Sequence, residues 1–156
     1  MPRLDAARVR AWRDLQSIVP EIERRIDEDL RAEWAVPLGW FDVLAALREL
    51  DGRARPQDVA SAMQIPASSL SRRLDRLEEE GWVRRHRDVD PDDHRAVEVE
   101  LTKRGRALWR EMNVSYRRSL QARFAIVLTD RDIQGLTATA RTLFDHSATE
   151  PPHQGF

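Results

Sequence analysis

A change of hydrophobic period between residues 56 and 101 constrains the fold of this chain more than any other feature. Pro56 opens a short helical stretch, where its missing N–H is tolerated, and Gln64-Ile65-Pro66 ends that stretch after about two turns. A second helix is predicted from 68 to 80, and Gly81 stands where a C-terminal cap is expected. Its apolar face consists of Leu70, Leu74 and Leu77. Two short helices joined by a tight turn are typical of a helix-turn-helix.

After Gly81 the pattern changes to the alternation of a β-strand. Apolar residues at positions 97, 99 and 101 alternate with glutamates, which indicates a strand with one buried face. Residues 82–89 form a weaker partner strand, and a polar turn with proline at 90–94 joins the two strands. A helix-turn-helix followed by a β-hairpin is a winged helix, and the hairpin is its wing.

Long amphipathic helices flank the winged helix. An apolar stripe predicts a helix over residues 4–33, which Pro20 is expected to kink or split. Thr102 is a suitable N-cap for a helix after the hairpin, and Thr129-Asp130 opens a last one. Because these outer helices carry more apolar surface than one small subunit can bury, a homodimer is expected. The predicted fold is mainly α: an N-terminal dimerisation region (1–37), a winged helix-turn-helix of three helices plus a β-hairpin (38–101), and C-terminal dimerisation helices (102–156).

The acidic and basic residues of the chain nearly balance in number, but they are concentrated in different segments. Lysine and arginine total 26 and aspartate and glutamate total 27, so the net charge of −1 does not by itself favour nucleic-acid binding. The helix over 68–80 nevertheless presents serines and arginines away from its leucine face. The predicted DNA-contacting residues on it are Ser68, Ser69, Ser71, Arg72, Arg73 and Arg76. Arginine pairs with guanine in the major groove and serine hydroxyls bind phosphate. The alternative is a solvated face with ion pairs to Asp75 and Glu79.

One arginine near the tip of the hairpin stands in a run of acidic residues. Between residues 88 and 101, Arg95 is the only lysine or arginine. A narrow minor groove attracts such an arginine, and Asp93 is placed to orient its guanidinium, so both are predicted to act in DNA binding. A plain surface ion pair is the alternative. A second basic run, from Lys103 to Arg123, either adds positive field near DNA or faces the dimer interior, and the sequence leaves both possibilities open.

Several segments, in this order and spacing, resemble the multiple-antibiotic-resistance regulator (MarR) family of transcriptional regulators. They are FDVLAAL at 41–47, DVA at 58–60, SSLSRRLDRLE at 68–78, GWV at 81–83, DPDDHRA at 90–96 and LTKRG at 101–105. The resemblance implies a homodimer on a palindromic double-stranded DNA operator, with Arg95 in the minor groove. It also implies a repressor that a small molecule releases from its operator.

The same resemblance implies a small aromatic or phenolic effector, bound between the outer helices and the winged helix. The residues that it places near such a pocket are Trp12, Trp40, Asp42 and Trp109. Packing of the three tryptophans in the core or at an interface is the alternative. No cofactor is expected.

Other classes of protein fit the sequence poorly. Cysteine is absent, which excludes a disulfide scaffold and cysteine-ligated zinc, and the histidines and acids of the hairpin lack a convincing metal-ligand spacing. A nucleophile elbow and a glycine-rich phosphate loop are both missing, so an enzyme is not expected. No apolar run reaches the ~18–20 residues of a membrane span and the N-terminus does not resemble a signal peptide, so a cytoplasmic protein is expected. One rival is a winged helix that binds another protein, which predicts an acidic or apolar face where residues 68–76 are basic. The other is a ligand-binding dimer without DNA binding, which needs no basic helix there.

Overall fold

The computed structural model describes residues 3–87, 92 and 96–149. The mainly helical winged-helix architecture that the sequence predicts is confirmed. In chain order the elements are helices α1 (Ala6–Trp34) and α2 (Leu38–Glu49), strand β1 (Arg53–Ala54), helices α3 (Pro56–Met63) and α4 (Ala67–Glu79), strands β2 (Val83–Arg87) and β3 (Val97–Leu101), helix α5 (Lys103–Arg123), a 3-10 turn (Ala125–Val127) and helix α6 (Asp130–Thr149).

The helix-turn-helix stands on a core to which α2, α3, α4 and the sheet all contribute. The three leucines of α4 are each at most 1% exposed. They share one buried cluster with Val43, Leu44, Leu47, Val59, Val83, Val99 and Leu101. Helix α3 ends where Gln64 takes a left-handed conformation, with φ 54°, and Gly81 does the same after α4, with φ 76°. The predicted glycine cap is therefore confirmed, and the burial of one face of α4 directs its other face outwards.

Strand β3 is the centre of a three-stranded antiparallel sheet with the order β1-β3-β2. Within the hairpin Val83 pairs with Leu101 and Arg87 with Val97. The sequence does not predict β1, because two residues are too few to show an alternating pattern. This strand forms through tertiary pairing, with Ala54 opposite Val99.

Helix α1 continues from Ala6 to Trp34 through Pro20, so of the expected kink or split the split does not occur. Proline removes one backbone donor and thereby frees one carbonyl in the preceding turn. Residues 11–20 are exposed, and water can satisfy that carbonyl. Farther along the helix, Ile26 and Leu30 are buried and hold α1 to the rest of the subunit.

Helix α5 packs along the second half of α1 through polar as well as apolar contacts. Met112 is fully buried beside Ile26 and Leu30. The indole N–H of Trp34 donates to Ser115 Oγ over 3.0 Å, and Ser119 Oγ donates to Asp29 over 2.6 Å. The predicted cap of α5 is confirmed, since Gly105 N–H donates to Thr102 Oγ1 over 3.0 Å.

The chain divides into two compact units, Met1–Arg123 and Phe124–Phe156. Helix α5 belongs to the first unit, although the sequence groups it with the last helix. In the second unit Thr129 starts α6 with a reciprocal cap, in which Asp132 accepts from the backbone N–H of Thr129 over 2.9 Å. None of the helices described is long and apolar enough to cross a membrane.

Candidate nucleic-acid interface

The outward face of α4 is the candidate DNA-reading surface. Ser68, Ser71, Arg72 and Arg76 are exposed on it, and Ser69 is half-buried at its edge. These five residues are named the recognition face below. The serines lie in the first turns of the helix, where the backbone amides point outwards. The N-cap is Pro66, which has no hydroxyl or carboxylate to occupy those amides. The amino end of α4 can therefore receive an anionic oxygen such as that of a phosphate.

The two arginines of the recognition face are available to a ligand. Arg72 has no hydrogen-bond or ion-pair partner among the described residues. Arg76 donates to Glu79 over 2.9 Å, but both side chains are more than 60% exposed. An exposed pair of this kind contributes little to stability and can be exchanged for a stronger partner. Both guanidinium groups are thus able to reach phosphates or base edges.

Arg73 is placed differently from its neighbour Arg72. Its side chain turns towards the start of α2, where Nη1 donates to the Gly39 carbonyl oxygen over 3.2 Å. A Cβ atom at Gly39 would lie 3.0 Å from Arg73 Cζ, so a glycine permits this close approach. The structure separates Arg73 from the recognition face and joins α4 to α2 through it.

Arg85 of β2 joins the wing to α4. Its Nη1 donates to Glu78 over 2.6 Å and its Nη2 donates to Asp75 over 2.7 Å. The backbone N–H of Arg85 also donates to Glu78, over 3.1 Å. Sequence reasoning missed this clamp. Its only local signal is a pair of acids at i and i+3 on α4, and that signal becomes specific only when the hairpin folds back.

The predicted wing residues Asp93 and Arg95 lie outside the described residues. The strands that carry the wing are described, and a hydrogen bond and an ion pair link them across the sheet. His86 Nε2 lies 2.6 Å from Glu100, and Arg53 of β1 pairs with Glu98. The hydrogen bond to His86 holds the pKa of Glu100 below its usual range. The base of the wing is therefore stiffened on both edges of β3.

The predicted effector tryptophans differ in their exposure and in the side chains that they contact. Trp40 packs edge-on against Trp82 with ring centroids 6.1 Å apart, as part of the core. Trp12 is 61% exposed on the first half of α1. Trp109 lies under the guanidinium of Arg48 at 4.3 Å. Trp40 and Trp109 therefore both pack against the same two buried clusters, whereas Trp12 lies in solvent.

Asp42 lines a cavity of about 680 Å³ between α1, α2, α3 and α4. Arg73 reaches this cavity from α4, and Glu23 reaches it from α1. Burial raises the pKa of the Asp42 carboxyl to about 6; the charge of Arg73 opposes the rise and that of Glu23 adds to it. Sequence reasoning placed Arg73 at the DNA, whereas the structure places it in this cavity.

Comparisons with known proteins agree with this geometry. Residues 36–96 match the model of the MarR family. PecS of Dickeya dadantii, an HTH-type transcriptional regulator, is 33% identical over 109 residues, which make up 69% of this chain and 64% of PecS. The matched part therefore spans less than two thirds of that relative.

Solved structures extend the similarity to the flanking helices. A MarR family transcriptional regulator from Streptomyces coelicolor, solved in complex with DNA, aligns with a TM-score of 0.83 and 26% identity over 99% of this chain and 96% of its own. BpsR of Bordetella bronchiseptica, whose DNA binding is regulated by 6-hydroxynicotinic acid, aligns with a TM-score of 0.69 and 24% identity over 83% of this chain and 98% of its own. The likeness to BpsR is one of fold alone.

Proposed function

The chain belongs to the MarR family, and on that premise we propose that it is a dimeric transcriptional regulator that binds a palindromic DNA operator. One observation carries the proposal: α4 buries its leucines in the core and leaves a hydroxyl- and guanidinium-bearing face in solvent. An α-helix of this kind fits the major groove of B-DNA. A protein-binding winged helix would need an acidic or apolar face there instead.

Each part of the winged helix has a proposed role on DNA. Arg72 and Arg76 read guanine edges or hold phosphates, and Ser68, Ser69 and Ser71 with the amino end of α4 bind the backbone. Arg95, oriented by Asp93, enters the adjacent minor groove. In a two-fold dimer the two α4 helices reach successive major grooves, about 34–36 Å apart.

The second copy is proposed from the apolar side chains that one chain leaves exposed. On α1 they are Trp12, Leu15, Ile18 and Val19, and on α6 they are Ile133, Leu136, Leu143 and Phe144. Each set lies on one stripe of its helix, and contiguous apolar surface of this kind marks an interaction site. A second copy of the chain covers both stripes, which makes α1 and α6 the dimerisation helices.

A mobility shift on DNA that flanks the gene of this protein tests the proposal. We expect a retarded complex at nanomolar protein that a tenfold excess of random duplex does not remove. The salt dependence of binding should be steep, because phosphate contacts release counterions. Equal affinity for the flanking DNA and for random duplex would contradict a sequence-specific regulator.

The cavity that holds Asp42 and Arg73 is proposed as the effector site. A small aromatic or phenolic acid that binds there releases the protein, which acts as a repressor, from its operator. The guanidinium of Arg73 can pair with an anionic ligand, and Asp42 can hydrogen-bond a hydroxyl group. Since Arg73 belongs to α4, a ligand that takes this side chain away from Gly39 also acts on the DNA-reading helix. BpsR, which shares the fold, is regulated by 6-hydroxynicotinic acid, and that acid is therefore the first compound to test.

A competition assay tests the effector site separately from DNA binding. Small aromatic acids, beginning with 6-hydroxynicotinic acid, are titrated into the protein–DNA complex. We expect dissociation for wild type and a loss of at least tenfold in ligand sensitivity for Arg73→Gln, with the exposed Arg13→Gln unchanged. A complex that every tested acid leaves intact would contradict the effector site while leaving the DNA-binding proposal standing.

A further inference from the structure

A second cavity is lined by several positively charged side chains that have no role in the proposed function. It has a volume of about 490 Å³ and lies where the end of α2, the turn before β1 and the start of α5 meet. The side chains that give it its character are Arg48, Asp51, Lys103, Arg106, Trp109 and Arg110. This site is named the basic cavity below.

The charge of the basic cavity is unbalanced within the described part of the chain. Four cationic side chains line it, against the single carboxylate of Asp51. Lys103 and Arg110 have no hydrogen-bond or ion-pair partner among the described residues. On α1, by contrast, arginines lie beside acids: Arg24 and Arg25 both bind Glu21. Glu100 feels the charge of Arg106 but is itself bound to His86.

The backbone at the basic cavity adds to this positive potential. Lys103 and Arg106 stand in the first turn of α5, whose amino end carries the positive pole of the helix dipole. Cations destabilise a helix at this end, and acids stabilise it. Because the first turn of α5 contains cations and no acid, this helix is less stable unless an anion is bound there.

The wall of the basic cavity is rigid and partly apolar. Arg48 is held over the ring of Trp109 at 4.3 Å, and the indole Nε1 is buried without a partner among the described atoms. Gly52, with φ 85°, forms the opposite wall, where a Cβ atom would lie 2.8 Å from Arg106 Nη2. Its N–H donates to the Leu47 carbonyl over 2.7 Å, which fixes the turn. Cations on a rigid, partly dry wall bind anions more strongly than cations on a mobile surface.

We propose that the basic cavity binds a small polyanion, a molecule that carries two or more phosphate or carboxylate groups. Guanidinium groups pair with both anions in a bidentate manner, and the volume is within the range of small-molecule sites. The cavity borders β1, whereas α4 packs against β2 at the other edge of the sheet. A free small molecule therefore suits this place better than the phosphates of the DNA that α4 reads.

Calorimetric titration of the full chain with pyrophosphate and with citrate tests the proposal. We expect saturable binding to wild type and a loss of at least tenfold in affinity for Lys103→Gln/Arg110→Gln. The matched control is Arg13→Gln/Arg117→Gln, which removes the same charge from exposed positions outside the cavity and should bind like wild type. Thermal unfolding of the three proteins without ligand verifies that each is folded. Binding of neither anion, or an equal loss in the control, would overturn the proposal.

A DNA arm of the same experiment separates the two sources of phosphate. If the cavity takes a free molecule, Lys103→Gln/Arg110→Gln keeps the wild-type affinity for duplex DNA within twofold. If the cavity holds DNA phosphates instead, that affinity falls and the salt slope decreases by about two, which would overturn the small-molecule assignment. Failure of all DNA binding would contradict the proposed regulator and leave the anion titration interpretable.

Discussion

At the scale of single residues, the neighbours Arg72 and Arg73 have different surroundings and therefore different expected roles. Successive residues of an α-helix point about 100° apart, so neighbours face different surroundings. Arg72 stays in solvent on the recognition face, and Arg73 donates to Gly39 inside the subunit. The two substitutions are therefore expected to affect different properties of the protein.

The substitution Arg72→Ala is predicted to weaken binding to the operator by about 1–3 kcal/mol, or about 5- to 150-fold in Kd. The reason is the loss of a bidentate contact to one base, so discrimination at that base pair should relax as well. Fluorescence anisotropy with the operator and its single-base variants measures both effects. The exposed Arg13→Ala should bind as wild type, and an Arg72 variant that does the same would remove this residue from the interface.

The buried carboxyl of Asp42 predicts an unusual dependence of stability on pH. Burial raises its pKa to about 6 in the folded chain, above the ordinary value of 3.8. The folded state therefore holds this proton more tightly than the unfolded state, and the stabilisation is complete below pH 4 and is lost as the pH rises through 6. At pH 7.5, above both pKa values, the ionised carboxylate costs the folded state about 3 kcal/mol.

The substitution Asp42→Asn should remove that cost, since the amide has the same shape and does not ionise. We expect the free energy of unfolding to exceed that of wild type by about 3 kcal/mol at pH 7.5 and by only about 1 kcal/mol at pH 4.5. Urea denaturation at one protein concentration measures it, with the exposed Asp14→Asn as control. A wild-type stability that does not fall between these two pH values would contradict the buried, raised carboxyl.

At the scale of elements, the angle between α4 and the wing depends on Arg85. Its side chain is only 16% exposed and bridges Asp75 and Glu78 of α4 to β2. Both charge-assisted bonds are short, but the two acids are partly exposed, so solvent weakens them. The clamp is consequently worth more as a positioning device than as a source of stability.

The substitution Arg85→Gln is predicted to lower the free energy of unfolding by about 1 kcal/mol and to weaken operator binding, because α4 and the wing then engage DNA without a fixed mutual orientation. Arg84→Gln is the matched control, since Arg84 stands on the same strand with its side chain exposed. Denaturation and anisotropy together separate the two effects. If both variants bind DNA equally well, Arg85 does not orient the wing.

At the scale of the whole molecule, association decides whether the outer helices are stable. Helix α6 has no residue that is buried within its own chain. An isolated helix of 20 residues gains little from propensity alone, and its apolar stripe needs a partner surface. The proposed second copy supplies that surface.

The double substitution Leu143→Glu/Phe144→Glu is predicted to convert the dimer into monomer, because it places two charges in the apolar contact. Light scattering coupled to size-exclusion chromatography measures the mass. Ala138→Glu is the control, since Ala138 points away from the stripe, about 140° from Leu143 on the helix. The same charge substitution there should leave the dimer intact, and a wild-type monomer at micromolar concentration would refute the arrangement.

The sequence by itself determined the parts of this protein that depend on local periodicity. The burial of Leu70, Leu74 and Leu77 and the end of α4 at Gly81 follow from three- and four-residue spacing and from one glycine. The alternation at 97–101 likewise places β3 and the wing. The outward position of Arg72 and Arg76 follows from the same helical spacing, so most of the recognition face was predictable from the sequence.

Only the tertiary structure decided where residues distant in sequence meet. Arg73 contacts Gly39 across 34 positions, Arg85 reaches Glu78 only because the hairpin folds onto α4, and β1 exists only beside β3. The continuity of α1 through Pro20 also depends on its surroundings, since water reaches that face of the helix. Local patterns report which side of an element is apolar, whereas the partner of each polar side chain is set by how whole elements pack, and that packing is a property of the complete fold.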